Sequence, residues 1–350
     1  VIVGSSPEFS GMDQKIIKPA VNFTFANKNL TLSKAEGTLN GMPININGTV
    51  GPLPSGNPNL NINATITMSP AALKNYVPDI DNYALKGNVN AGIKIQGSVN
   101  SPSINLLASS QNIQAMNMIN AKNLELTTAL NGDLTKLDKL NVNASAKSIT
   151  ASGVTFTNAN ANINKDGDKI TLGGLNAQAG SGSITGSGTA SASGKSPLDF
   201  NFKFTNLDLA PLASASGVDL KGNLTGTLKI SGSNANPAIN FSANVPAINV
   251  SGFTLEKLIA EISGNMENIK LNKVRAEVEG VEVSATGNVQ VSPALKLNIA
   301  LNGKNIKLER LLKDYPDLKG NLSGVANLAF NLTGNDKNIS GKGSLASSAI

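Results

Sequence analysis

The sequence predicts an all-β protein: a long, repetitive sheet with short helical interruptions. One observation is alternation. In the stretch from Arg275 to Leu332, Leu295, Leu297, Ile299 and Leu301 alternate with Lys296, Asn298, Ala300 and Asn302. A period of two puts one set on each face of a pleated strand. Composition is another: 34 Gly, no Trp, 3 Tyr and 10 Phe in 350 residues is strand-and-turn chemistry without large aromatic plugs. Repetition is the third, because the same order of features recurs along the chain.

Taken in order, residues 1–20 read as an irregular leader or a segment left from cloning. Alternation begins at Val21–Phe25 and continues through Leu30 and Leu32. In Asn59–Met68 the residues Leu60, Ile62, Ala64, Ile66 and Met68 share a face. Ser69-Pro70 is an N-cap followed by proline at the first helical position, so Pro70–Tyr76 is expected to be a short helix. Glu309–Asp314 is expected to interrupt the later strands in the same way.

Leu-Lys-Gly-Asn occurs at 85–88, 220–223 and 318–321, each time after a similar strand series. IQGSVNSPSINLLASS (95–110) matches ISGSNANPAINFSANV (230–245), with Pro102 opposite Pro237. The chain therefore divides into residues 21–88 (the C-terminal part of one module), 89–222 (a second), 223–320 (a third) and 321–350 (the start of a further one), forming one continuous elongated β unit. It reads as a piece of something longer.

Several chemistries are excluded. There is no Cys, hence no disulfide and no thiolate metal site, and no His, the commonest general base and metal ligand. Asp166-Gly167-Asp168 lacks the ligand ladder of a calcium loop and reads as a hairpin turn. The glycine-rich stretch at 174–188 lacks the Gly-Lys-Ser/Thr ending of a phosphate cradle. Glu277 and Glu279 alternate with Ala276 and Val278, which makes them a solvated face rather than an acid/base pair. The chain is expected to be non-enzymatic, without cofactor or metal. Its net charge of +6 is scattered and carries no aromatic interleaving, so nucleic acid is not an expected partner.

The apolar faces must leave water, at about 25 cal/mol per Å². Either they close on each other as a sandwich or solenoid, or they line a groove that something apolar fills. The candidate lining residues are Leu60, Ile62, Ile66, Leu228, Ile230, Ile239, Phe241, Leu295, Leu297, Ile299, Leu301, Leu328 and Phe330. An unvaried aliphatic surface suits an acyl chain. At ~4.8 Å per strand, roughly 25 strands would span on the order of 100 Å.

The reiterated LKGNLTGTLKISGSNANPAINFSANV (220–245), EGVEVSATGNVQVSPALKLNIALNG (279–303) and the LERLLKDYP interruption (308–316) resemble the AsmA-like superfamily, nearest its TamB branch. The resemblance covers nearly everything from Val21 onward. It implies a sheet curled into an open, hydrophobic-lined groove, a β-taco. It further implies a periplasmic segment of an inner-membrane-anchored protein of a diderm bacterium, carrying phospholipid between inner and outer membrane for outer-membrane assembly. The implied partners are phospholipid acyl chains, both membranes through regions outside these residues, and an outer-membrane β-barrel protein. The family's N-terminal membrane helix and C-terminal barrel-engaging domain have no counterpart in these 350 residues. The rival expectation is a β-solenoid adhesin or autotransporter passenger at the cell surface, although passengers are built of shorter rungs without helical interruptions.

Overall fold

The computed structural model describes residues 2–5, 8–11, 14–74, 81, 84–117, 119–131, 139–151, 153–194, 196–211, 220–250, 253–278, 280–307, 324–335 and 337–349. Its contacts divide the chain into two units, Val1–Ala177 and Gln178–Ile350. The described residues are almost wholly β.

The first unit holds β1 (Ile2–Ser5), β2 (Glu8–Gly11), β3 (Gln14–Ala26), β4 (Asn29–Leu39), β5 (Met42–Gly51), β6 (Asn59–Met68), β7 (Val89–Ser98), β8 (Ser101–Ala115), β9 (Ile119–Asn131), β10 (Lys139–Ala151), β11 (Val154–Asp166) and most of β12 (Lys169–Ala179). From β3 to β11 each strand pairs antiparallel with the next, an open meander. β1 and β2 lie end to end along the other edge of β3. The first twenty residues, expected to be irregular, thus carry β1, β2 and the start of β3. Their pairing supplies the backbone bonds that a weak alternation does not advertise.

The second unit holds β13 (Gly182–Ser191), β14 (Leu198–Asp208), β15 (Leu220–Gly232), β16 (Ala238–Val250), β17 (Phe253–Gly264), β18 (Asn268–Val278), β19 (Val281–Gln290), β20 (Lys296–Lys307), β21 (Val325–Asn335) and β22 (Ile339–Ala349). It too is an antiparallel meander in sequence order.

Turn chemistry fixes the hairpins. Asn40 and Gly41, with φ of 48° and 84°, join β4 to β5 in the left-handed conformation that two-residue hairpins require. Gly167 (φ 57°) and Asp168 lie between β11 and β12, the turn expected there. The helix α1 (Pro70–Leu73) begins as expected: the Ser69 hydroxyl accepts from the Ala72 amide at 3.3 Å. The remainder of that interruption, and all of Glu309–Asp314, lie outside the described residues.

One backbone feature recurs that the alternation does not forecast. Lys18 (β3), Asn123 (β9), Asn158 (β11), Asn206 (β14), Lys257 (β17) and Asn305 (β20) all have positive φ in mid-strand. Asn tolerates this conformation better than most residues. At Lys18, Asn206, Lys257 and Asn305 the pairing register also shifts, marking β-bulges. The freed bulge amides are satisfied locally: Asn206 N donates to Thr225 Oγ1 and Asn305 N to Asn327 Oδ1, both at 3.1 Å. A bulge bends its strand, so each such strand has a short arm, a bend and a long arm.

Candidate functional site

Registers align the aliphatic residues into rows that run across the strands. In the second unit one row reads Phe202, Leu228, Phe241, Ile262, Leu271, Gly287, Ile299, Leu332. A second contains Ile230, Ile239, Gly264, Ile269, Val289 and Leu297, and a third pairs Leu301 with Phe330. Leu328 sits on the same face two residues from Phe330, opposite Gly303, while Leu295 is half-buried one residue before β20. In the first unit Ile62 continues into Ile95 and Ile104, Ile66 into Ala91 and Ala108, and Leu60 faces Val50 and Gly97. In the second unit the candidates named from alternation therefore fall into common rows, whereas the three of the first unit lie on β6, each in a row of its own. Ile262, Leu271 and Phe202, passed over in the sequence, belong to the same rows. Their alternation was visible, but only the register says which strands align.

Depth of burial divides these side chains. All thirteen candidates are half-buried, neither sealed nor exposed. Full burial is confined mostly to small residues: eleven of the twenty buried apolar residues among those described are alanine. The larger ones gather along the line of bulges, as with Leu207, Leu224, Val245, Ile248 and Ile306. Val245 is the most enclosed large side chain, at 1% exposure. A thin seam at the bends is sealed from solvent, and the long arms are not.

Aromatic rings lie flat on neighbouring glycines. A Cβ on Gly341 would meet Phe330 Cζ at 2.1 Å, and one on Gly188 would meet Phe200 Cδ1 at 2.4 Å. Phe200 and Phe202 stack at 6.2 Å with 10° between planes. Glycine lets each ring cover backbone instead of standing out from the sheet, which keeps the aliphatic face low.

The repeated Leu-Lys-Gly motif has a structural role. The bridge Lys86↔Gln114 and the pair Lys221↔Asn249 span the same 28 residues. Gly87 (φ 104°) and Gly222 (φ 155°) follow them, and a Cβ there would strike Asn112 O at 2.2 Å and Ala247 O at 2.6 Å. Only glycine permits that approach. The copy at 318–321 lies outside the described residues.

The opposite face is polar and cross-linked. Asn63 Nδ2 donates to Asn47 Oδ1 at 3.3 Å, Thr67 Oγ1 to Asn90 Oδ1 at 2.9 Å, and Asn162 Nδ2 to Asn143 Oδ1 at 2.8 Å. Glu277 lies between Glu256 and Glu282 on adjacent strands, a like-charge row relieved by Lys257, whose Nζ donates to both Glu277 carboxylate oxygens at 2.9 Å. The hydrogen bond from Lys257 to Glu277, reinforced by the carboxylate charge, raises the lysine pKa above its ordinary value. Glu279 lies outside the described residues.

Among the described residues no group of three acidic or metal-binding side chains is placed to hold a metal ion, and no helix is long and apolar enough to cross a membrane. No protein-family model matches the chain, and no curated protein matches it significantly.

Proposed function

We propose that this chain is a periplasmic segment of an AsmA/TamB-like bridge protein, and that the aliphatic rows line a groove that carries phospholipid acyl chains between inner and outer membrane. The observation that carries the reading is the half-burial of all thirteen candidate residues beside a thin, fully buried seam at the bends. An apolar row left only partly covered costs free energy in water, and an acyl chain laid along it recovers that cost without needing hydrogen bonds. The low profile set by rings lying on glycine favours a ligand recognised by shape and dryness. The polar face opposite keeps the sheet hydrated, and charged headgroups stay in water at the groove's edge. The family, the membranes bridged and the outer-membrane barrel partner rest on the sequence resemblance.

Lipid mass spectrometry on protein purified from a diderm host tests this. Wild-type protein is expected to retain phospholipid or detergent. Ile299→Asp or Phe241→Asp is expected to abolish loading while the far-UV circular dichroism stays that of a sheet, because a half-open wall lets the charge reach water. Lipid-free wild-type protein would favour the surface-adhesin reading instead.

A further inference from the structure

The polar face of the first unit carries a feature that acyl-chain transport does not use. Two adjoining depressions, of about 550 and 340 Å³, lie on it and share Thr127 and Asn143. Together they run from Gly92 and Lys94 on β7 to Asn162 on β11 and Gly174 on β12. Crossing six strands at ~4.8 Å spacing makes a trough about 24 Å long.

Glycine at its two ends is not forced by the backbone. Neither Gly92 nor Gly174 has positive φ, a Cβ on Gly174 would meet nothing within 4 Å, and one on Gly92 would meet only Leu107 O at 3.9 Å. Glycine inside a strand is destabilising relative to alanine, so here it keeps the surface low at a cost.

Hydrogen-bonding capacity in the trough is left open. At one end Asn162 Nδ2 donates to Asn143 Oδ1 and to Asn141 Oδ1, and Asn141 in turn donates to Asn164, which pre-orients the amides. Further along, Lys94, Asn105, Thr127, Glu125 and Ser145 have no side-chain partner among the described residues, whereas neighbours elsewhere on this face bond across strands. Leu107, 46% exposed, supplies one apolar patch.

We infer that this trough binds an extended, uncharged glycan. Hydroxyls that both donate and accept match a mixed row of amides and hydroxyls, and the C–H face of a sugar ring packs on Leu107. One cation and one anion among the lining residues favour no ligand of either sign, which argues against nucleic acid. An acyl chain would leave the polar groups unpaired. The site lies on the face opposite the aliphatic rows and stands independently of the lipid reading.

The test uses the full chain, with chitotetraose and cellotetraose as probes, followed by calorimetry and by the methyl resonances of Leu107. Saturable binding that shifts those methyls is expected for at least one of the two sugars. Gly174→Leu, whose added side chain meets open space at the trough's end, and Thr127→Val should each weaken it about tenfold or more, with the sheet's circular dichroism and lipid loading unchanged. Failure of both sugars to bind saturably, undiminished affinity in Gly174→Leu, or binding of an extended Ser/Asn peptide in place of the sugars would each overturn the proposal.

Discussion

Val245 and Phe241 lie four residues apart on the same face of β16, yet the first is 1% exposed and the second is half-buried. Val245 sits where β16 pairs beside the bulge at Lys257, and Phe241 lies on the long arm. The same contrast separates Ile306 from Ile299 on β20. Strand periodicity treats Val245 and Phe241 alike, and it puts Ile306, seven residues from Ile299, on the other face until the register shift between Gly303 and Ile306 returns it. The bulge distinguishes them, because bending brings neighbouring side chains together on its inner side and leaves the straight arm with one flank uncovered. Stability is therefore expected to reside in the bends and ligand capacity in the arms.

The sharpest way to break this comparison is the same charge at both places. Val245→Asp should unfold the second unit or cost at least about 4 kcal/mol, since the carboxylate has no route to water. Phe241→Asp should keep the sheet and lose lipid. Equal unfolding of both by chemical denaturation would erase the distinction between bend and arm.

A smaller effect is expected at Gly87. Alanine there must adopt a φ of 104° and push against Asn112 O, which should cost about 2 kcal/mol in denaturant-monitored stability. Gly222→Ala should behave alike, as the two glycines occupy equivalent places in their modules. Smaller still, Gly341→Ala should lift the Phe330 ring and cost about 1 kcal/mol, read as a modest fall in the thermal midpoint.

The least effect belongs to the exposed Lys257–Glu277 pair. Because folding raises the lysine pKa, its contribution is present at neutral pH, below the unfolded lysine pKa, and is lost as pH rises through the folded value. Wild-type and Lys257→Ala should differ slightly at pH 7 and low salt, and the lysine's ionic contribution should vanish at high pH or high salt. A difference that grows with pH would reverse the assignment.

Much of the fold was legible because strands announce themselves by a period of two. The alternation at 295–302, the Asn40-Gly41 turn and the Ser69 cap all follow from local rules that need no neighbours. The strands within 1–20 were not legible, since they owe their form to pairing with β3 and within β3–β4. Of the candidate site, the face was legible and the depth was not. Alternation assigns Ile299 and Phe241 to the aliphatic side but says nothing of how thoroughly that side is covered. The polar trough escaped notice because it is assembled from strands up to about 80 residues apart in sequence.

By itself, the sequence determined the strand chemistry, the two-faced character of each strand and the recurrence of the Leu-Lys-Gly module, all of them legible along the chain without reference to a pairing partner. Only the tertiary structure decided which residues align into rows, where positive-φ bulges bend the strands and hence which aliphatic side chains are sealed. Those outcomes depend on register and on packing between strands, and a side chain's burial is fixed by what lies across from it rather than by what precedes it.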